Sequence, residues 1–312
     1  MQIIGKTNFD FMGKKKFTFV ISSIIALLGL IGVGQIALGT ANMGIDFSGG
    51  TAVQLNFSQP VAIDQARHAL AKHGFKDANL QEVSGGNKLL VKVGKATHVQ
   101  GPAADAIEDA FRKEFTGNRF VIESSTEIGP AIGDKLRKDT LVAVVISLVG
   151  IVIYIAWRFD FAFGVGALAA TLHDVLAMFA VFFVMQKEIN LLFITAVLTI
   201  AGYSLTDTVV VFDRIRENLH KNVKDSLTAI CNFSINEVLS RTIITALTTF
   251  LATASLFFFG GEVIHDFAFA LLVGIIVGVY SSVFVASPIV VIWGARNRSE
   301  ERRVGKECRS RW

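Results

Sequence analysis

The sequence predicts an α-helical polytopic membrane protein: six transmembrane helices with an inserted ferredoxin-like α+β extracytoplasmic domain after the first. Three observations predict it. Of 312 residues, 52% are hydrophobic and only 4 are Pro, and the mean hydropathy is +0.53, too apolar for one soluble domain of this length. The apolar residues gather into runs long enough to cross about 30 Å of hydrocarbon at about 1.5 Å per residue. Between the first two runs, about a hundred residues are mixed and charge-balanced, with strand-like and helix-like patterns in turn.

Six runs qualify as spans: Phe17 to Leu38, Thr140 to Trp157, Phe161 to Met185, Asn190 to Phe212, Thr242 to Phe259 and Phe267 to Trp293. The first follows Lys14, Lys15 and Lys16 like a secretory leader, but its apolar run is too long for one. The net charge of +4 is a modest excess and gives no argument for nucleic acid as a partner; the placement of the positive residues is what informs. Lys14 to Lys16, Arg158, Arg214, Arg216, Lys221, Lys224 and the Arg-rich tail fall on one side, whereas the short loops QKEIN and GGEVIHD share one Lys. Both termini are therefore expected in the cytoplasm. Cys231 and Cys308 fall on that side without metal-clip spacing, so neither disulfide, metal nor other cofactor is expected.

The domain boundaries follow: a cytoplasmic N-terminus over 1–16, the first span over 17–38, an outer domain over 39–138, five further helices over 140–296 and a basic tail over 297–312. In the outer domain TAVQLNF, ANLQEVS, KLLVKV and RFVIESSTEI read as strands, AIDQARHALAKHG and PAADAIEDAFRKEF as amphipathic helices, and a Gly-Gly turn joins the middle strands. The order β-α-β-β-α-β is ferredoxin-like. No nucleophile–base pair or phosphate loop is visible there, and no enzymatic role is expected. GIDFSGGT precedes a strand and lacks the Lys and Ser/Thr of a P-loop; Gly44, Gly49 and Gly50 read as a hinge or a close-packing turn at the membrane exit. The tail from Asn297 is polar and basic without periodicity, and its last ten or so residues have the look of an appended or read-through scar.

Ionisable residues inside spans are functional candidates by default. Four stand out: His173 and Asp174 in the third span, Asp207 in the fourth, and Arg241 at the entrance of the fifth. Gly166, Ala169, Ala170 and Ala177 share the His173 face, so another helix can approach there. His173 and Asp174 read either as a packing pair or as part of a proton route; a metal-dependent phosphohydrolase site lacks further ligands. Tyr203, Ser204 and Arg214 lie on the face of Asp207, and Arg241 is in reach, either as a packing salt bridge or as the cation opposing burial at a proton-loaded acid. Asp213, Arg214, Arg216 and Glu217 read as a solvated, snorkelling helix end. Gly274, Gly278 and Ser282 recur at intervals of four in the last span, a close-packing stripe. An intramembrane aspartyl protease built on Asp174 and Asp207 lacks the GxGD pattern.

GYSLTDTVVVFDRIREN, preceded by LHDV and followed by LSRTIITALTT and FFFGGEVIHDFAFALLVGIIVGVYSS, is similar to the SecF family, and GIDFSGGT also resembles that family. The resemblance covers about residues 9 to 295. It implies the smaller half of a proton-driven, RND-related unit shared with SecD. That unit draws or releases translocating preprotein at the SecYEG channel, with YajC and YidC as further partners, in the bacterial inner membrane. On the matching positions Asp207 is the acid of the proton path, Arg241 works with it, and His173, Asp174 and Ser204 join the coupling set. Protonating Asp207 is then expected to loosen its hold on Arg241 and swing the outer domain about GIDFSGG. The alternatives are a passive scaffold of the translocon and an RND-type exporter of small molecules or lipids; the coupling ion, proton or sodium, is left open.

Overall fold

The computed structural model describes residues 7–83, 87–94, 102–221 and 225–293; the expected turn at Gly85 and Gly86, Lys224, and the tail from Asn297 with Cys308 lie outside them. In chain order the elements are α1 (Lys15–Leu38), α2 (Ile45–Ser48), β1 (Gly50–Phe57), α3 (Ile63–Lys72), β2 (Asn79–Val83), β3 (Lys88–Val93), α4 (Ala103–Glu114), β4 (Phe120–Ile128), α5 (Pro130–Arg158), α6 (Phe161–Val184), α7 (Leu191–Lys221), α8 (Leu227–Phe259) and α9 (Glu262–Ser281). A π-helical turn, Ser282–Ala286, continues α9. The described residues form two compact units, one within 42–143 with 188–191, the other within 7–41, 144–187 and 192–293.

The first unit is an antiparallel sheet of order β2-β3-β1-β4, the ferredoxin-like arrangement that the element order implies. Val53 of β1 pairs with Val91 of β3 and Ser125 of β4. Because side chains alternate along a strand, Val53, Leu55 and Phe57 share one buried face with Leu89, Val91 and Val93. Ala66 and Leu70 of α3 and Ile107 and Phe111 of α4 close over that face. Phe57 and Phe111 meet edge to face with centroids 5.7 Å apart, a favourable ring geometry. On the opposite face Gln54 and Asn56 donate to Glu123 of β4 at 3.0 and 2.8 Å. The Lys88 ammonium beside Glu123 holds that carboxyl below the ordinary Glu value.

Among the described residues six helices are long and apolar enough to cross a membrane, and most of their length belongs to the second unit. α6, α7 and α9 supply its interior: Phe163 packs edge to face on Phe212 at 5.1 Å, and Phe182 lies 4.0 Å from Phe193. α5 and α8 present exposed apolar faces, among them Leu141, Ile146 and Ile153, and Leu247, Leu251 and Phe258. Small residues set the close approaches. A Cβ on Gly29 of α1 would overlap the Leu176 carbonyl of α6, and one on Gly32 would sit 3.2 Å from Phe183 Cβ. A Cβ on Gly166, beside the fully buried Ala170, would sit 3.0 Å from Ala286 O and 3.1 Å from Val290 Cγ2, while one on Gly274 would overlap the Ile200 side chain.

Three helices outrun the apolar stretches that announce them. α5 starts at Pro130, ten residues before the expected Thr140, since Pro is well suited to a first helical position. α7 runs on through DRIRENLHK to Lys221. α8 starts at Leu227, behind an N-cap in which Ser226 Oγ accepts from the Ala229 N–H at 3.2 Å. Its early turns are polar on a side that has partners. Asn232 Oδ1 accepts from the Phe11 and Met12 N–H groups, Asn236 exchanges two bonds with the Phe9 backbone, and Ser234 accepts from Asn218. Hydropathy finds the span, whereas those bonds sustain the helix beyond it.

Two stability results follow from this packing. Phe111→Ala should destabilise the sheet unit by about 3–5 kcal/mol, read as lost amide protection in β1–β4 with the membrane helices unaffected. Gly29→Ala should be worse tolerated than Gly274→Ala, because the first new methyl meets backbone of α6 and the second meets only the Ile200 side chain; overpacking of about 1–3 kcal/mol would appear as lower thermal stability in detergent.

Candidate functional site

The polar residues of the membrane helices meet in one seam. Asp174 of α6 is fully buried. His173 Nδ1 lies 3.2 Å from its Oδ1, and Ser204 of α7 and Ser281 of α9 donate to its Oδ2 at 2.5 and 2.8 Å. Ser281 Oγ also lies 3.1 Å from Gly278 O, so one hydroxyl proton stands between two acceptors. Four residues beyond Ser204 on the same helix face, Thr208 shares a 2.9 Å bond with Ser282, which donates to Gly278 O at 3.0 Å.

Close helix packing makes this meeting possible. A Cβ on Gly278 would sit 3.0 Å from Ser204 Cβ, so the bare glycine lets α7 and α9 touch where Ser204 reaches Asp174. Ser282 begins the π-helical turn, and Ser287 Oγ donates to Ser282 O across five residues at 3.0 Å. Pro288 follows within the helix and has no N–H for the ordinary ladder, which accounts for the widened turn there. Such turns recur at functional positions of helices.

Asp207 occupies the next stretch of the seam and is held differently. Thr242 of α8 donates to its Oδ1 at 2.9 Å. Its Oδ2 is buried and makes no hydrogen bond, with the Ser282 hydroxyl near the carboxyl group but outside bonding geometry. Arg241 is exposed and forms no ion pair with Asp207 among the described residues; its charge acts on that carboxylate only at longer range. His173 Nε2 is the other buried side-chain atom without a partner among the described residues. The His173 ring packs against the Tyr280 ring at 5.9 Å, and the Tyr280 hydroxyl donates to Thr18 O and is itself bonded to Ser22 of α1, each at 3.0 Å.

Of the residues singled out in the sequence, the structure brings His173, Asp174 and Ser204 into one cluster and Asp207 into the adjoining one. Two expectations change. Ser204 serves Asp174 and not Asp207, because it is α6 and α9 that close on its side of α7. The neighbour holding Asp207 is Thr242, and the expected direct contact with Arg241 is not formed. Ser281, Thr208 and Thr242 went unnoticed, since isolated hydroxyls in apolar runs look like ordinary packing residues; Ser282 was visible only through its spacing with Gly274 and Gly278.

The helix end expected to be merely solvated is also organised. Arg158 of α5 binds Asp213 through both carboxylate oxygens at 2.8 Å, and Arg214 forks onto Glu237 of α8 at 2.7 Å twice. Arg216 is exposed as expected. Nearby, the Asn232 amide and the Gly13 N–H hold the Asp10 carboxyl below the usual carboxylate range. No group of three or more potential metal ligands occurs among the described residues.

Comparison with known proteins places this seam in a family. Residues 107–296 match the model of the protein export membrane protein SecD/SecF, C-terminal, and residues 41–61 match the SecD/SecF GG motif. The protein translocase subunit SecF of Thermodesulfovibrio yellowstonii is 54% identical over 296 residues, 94% of this chain and 97% of that one. The subunit of the same name from Calditerrivibrio nitroreducens is 39% identical over 93% of this chain and 95% of that one. The crystal structure of SecDF, a translocon-associated membrane protein from Thermus thermophilus, matches with a TM-score of 0.81 at 35% identity over 95% of this chain. SecDF in a super-membrane-facing form matches with a TM-score of 0.69 at 36% identity over 97% of this chain. The chain spans 40% and 41% of those two solved chains. A six-span membrane unit with a ferredoxin-like insertion, a glycine motif before the first strand and acids along its seam thus belongs, by sequence and by fold, to the SecF family of protein translocase subunits.

Proposed function

We propose that this chain pairs with SecD in the inner membrane, termini in the cytoplasm, and couples proton movement to late steps of Sec-dependent protein translocation. In that reading SecYEG, YajC, YidC and the translocating preprotein are its further partners. The observation that carries the reading is Asp207: an acid in a membrane helix with one carboxylate oxygen held by Thr242 and the other buried and unpartnered. A carboxylate in that setting lacks donors, whereas a carboxylic acid needs fewer. Gaining a proton at Oδ2 therefore removes a buried charge at the contact of α7 with α8 while leaving the Thr242 bond in place. Arg241, one residue from Thr242, sets the field in which that proton arrives and leaves.

The energy scale fits. One proton crossing 100 mV supplies about 2.3 kcal/mol, enough to move a two-state packing equilibrium by about 50-fold. Asp174, bonded at both oxygens, is better suited to hold α6, α7 and α9 in register. A passive scaffold would keep the same folds and need no titrating acid.

Asp207→Asn carries no charge and approximates the protonated side chain. It should leave the protein folded and assembled while abolishing the component of preprotein translocation that depends on the proton gradient, measured in membrane vesicles after the ATP-driven step. Full gradient-dependent translocation in that variant would remove Asp207 from the mechanism and leave the scaffold reading.

A further inference from the structure

The glycine motif and the segment between α6 and α7 form one bonded assembly within the sheet unit. Ile189 donates its N–H to Asn42 O at 2.8 Å and accepts from the Gly44 N–H at 2.9 Å, a parallel bridge with Met43. Glu188 binds Lys92 of β3 at 2.5 Å, with the two side chains only 14% and 20% exposed, and accepts from Asn79 of β2 at 3.2 Å. Asp46 of α2 accepts the Leu191 N–H at 3.0 Å. Leu191 is the first residue of α7, whose leading N–H groups have no partner inside the helix, so Asp46 caps that helix from a distant part of the chain.

The glycines make the assembly close. A Cβ on Gly44 would sit 2.9 Å from Asn190 Cβ, and one on Gly133 would sit 3.1 Å from Gly49 N. Gly49 has φ +69°, and a Cβ there would sit 3.2 Å from Pro130 Cα; Gly50 has φ +142°, and a Cβ there would overlap the Val93 carbonyl. Of the two roles read for Gly44, Gly49 and Gly50, these contacts match close packing; a swinging joint would not need them.

We infer that residues 188–191 are a strut that stays engaged, and that Asp46 is a positioning residue fixing the first turn of the helix that carries the coupling acid. Backbone pairing, a sheltered ion pair and a trans cap all hold the same four residues, and α7 is one continuous helix from Leu191 to Lys221. Asp207 lies 16 residues along it, about 24 Å at the helical rise. A displacement of the sheet unit is thereby delivered to Asp207 along a stiff rod, and a displacement begun at Asp207 returns the same way. This rests on the reading of Asp207 as the coupling acid.

The test uses the full chain assembled with its SecD partner. Met43→Cys with Ile189→Cys, in a Cys231→Ala, Cys308→Ala background, joins bridge partners whose Cα separation of about 5 Å suits a disulfide. Oxidation should leave gradient-dependent translocation unchanged; a loss restored by reductant overturns the strut. Asp46→Asn keeps a capping acceptor and should stay near the parent, whereas Asp46→Ala should lower that translocation about fivefold. Amide exchange gives a readout independent of transport: Asp46→Ala should speed exchange at Leu191 with β1–β4 still protected. Unchanged exchange at Leu191, or equal transport by the Ala variant and the parent, overturns the positioning role. Asp207→Asn measured beside them separates the two ideas, since its full activity would sink the coupling reading while the exchange result still decides the cap.

Discussion

A carboxyl group without contact to water, at the crossing of three apolar helices, is the constraint on which the membrane unit depends. An Asp at the centre of a membrane helix costs about 2.5–3.5 kcal/mol by insertion measurements. Interhelical hydrogen bonds return about 0.6 kcal/mol each in the best-studied case. The two on Asp174, from Ser204 and Ser281, therefore offset roughly a third to a half of that cost and give no net stability. What they do supply is register: only one sliding position of α7 and α9 on α6 puts Ser204 and Ser281 on the same oxygen. A buried polar group that fixes register at an expense in stability is the best-attested use of such groups.

The glycines and the hydroxyls are consequently one device. A Cβ on Gly278 would press on Ser204, and one on Gly166 would press on Ala286, the last residue of the π-helical turn, and on Val290. Replacing Gly278 would press on the Ser204 donor and leave a buried acid short of a partner, which is worse than losing a packing contact. Asp207 lies outside this clamp. It faces α8, whose exposed apolar side chains show a helix less enclosed than α6 or α9, and its second oxygen is unpartnered. Under the coupling reading, Asp174 would be the acid that stays put while a change at Asp207 moves a helix.

The architecture was legible because hydropathy and alternation are strong local signals. All four strands begin and end within a residue or so of the expected ones; β3 alternates strictly against the buried face, whereas β4 buries no residue and is held by its pairing with β1. The helix ends were not legible: α8 begins fifteen residues before its apolar run because Asn232, Asn236 and Glu237 find partners far away in sequence. The acids were legible, as a charge in an apolar run is conspicuous, but their partners were not. Ser281 and Thr242 become donors only when α9 and α8 are placed against α6 and α7, and no spacing within one helix reports that. The closeness of Asp207 to Arg241 in sequence pattern suggested a pair that the adjacent Thr242 forms instead.

Arg241 then needs another reason for its position. It is exposed, yet it sits one residue from the side chain that holds Asp207 and within electrostatic range of it. An arginine stays charged at any working pH, so near a membrane acid it favours the ionised form, while burial favours the neutral one. A direct ion pair would weigh the first effect so heavily that the acid would stay ionised and could not cycle. Under the coupling reading, the missing salt bridge is therefore a working feature: Thr242 fixes where the carboxyl sits, and Arg241 sets how readily it releases its proton without gripping it.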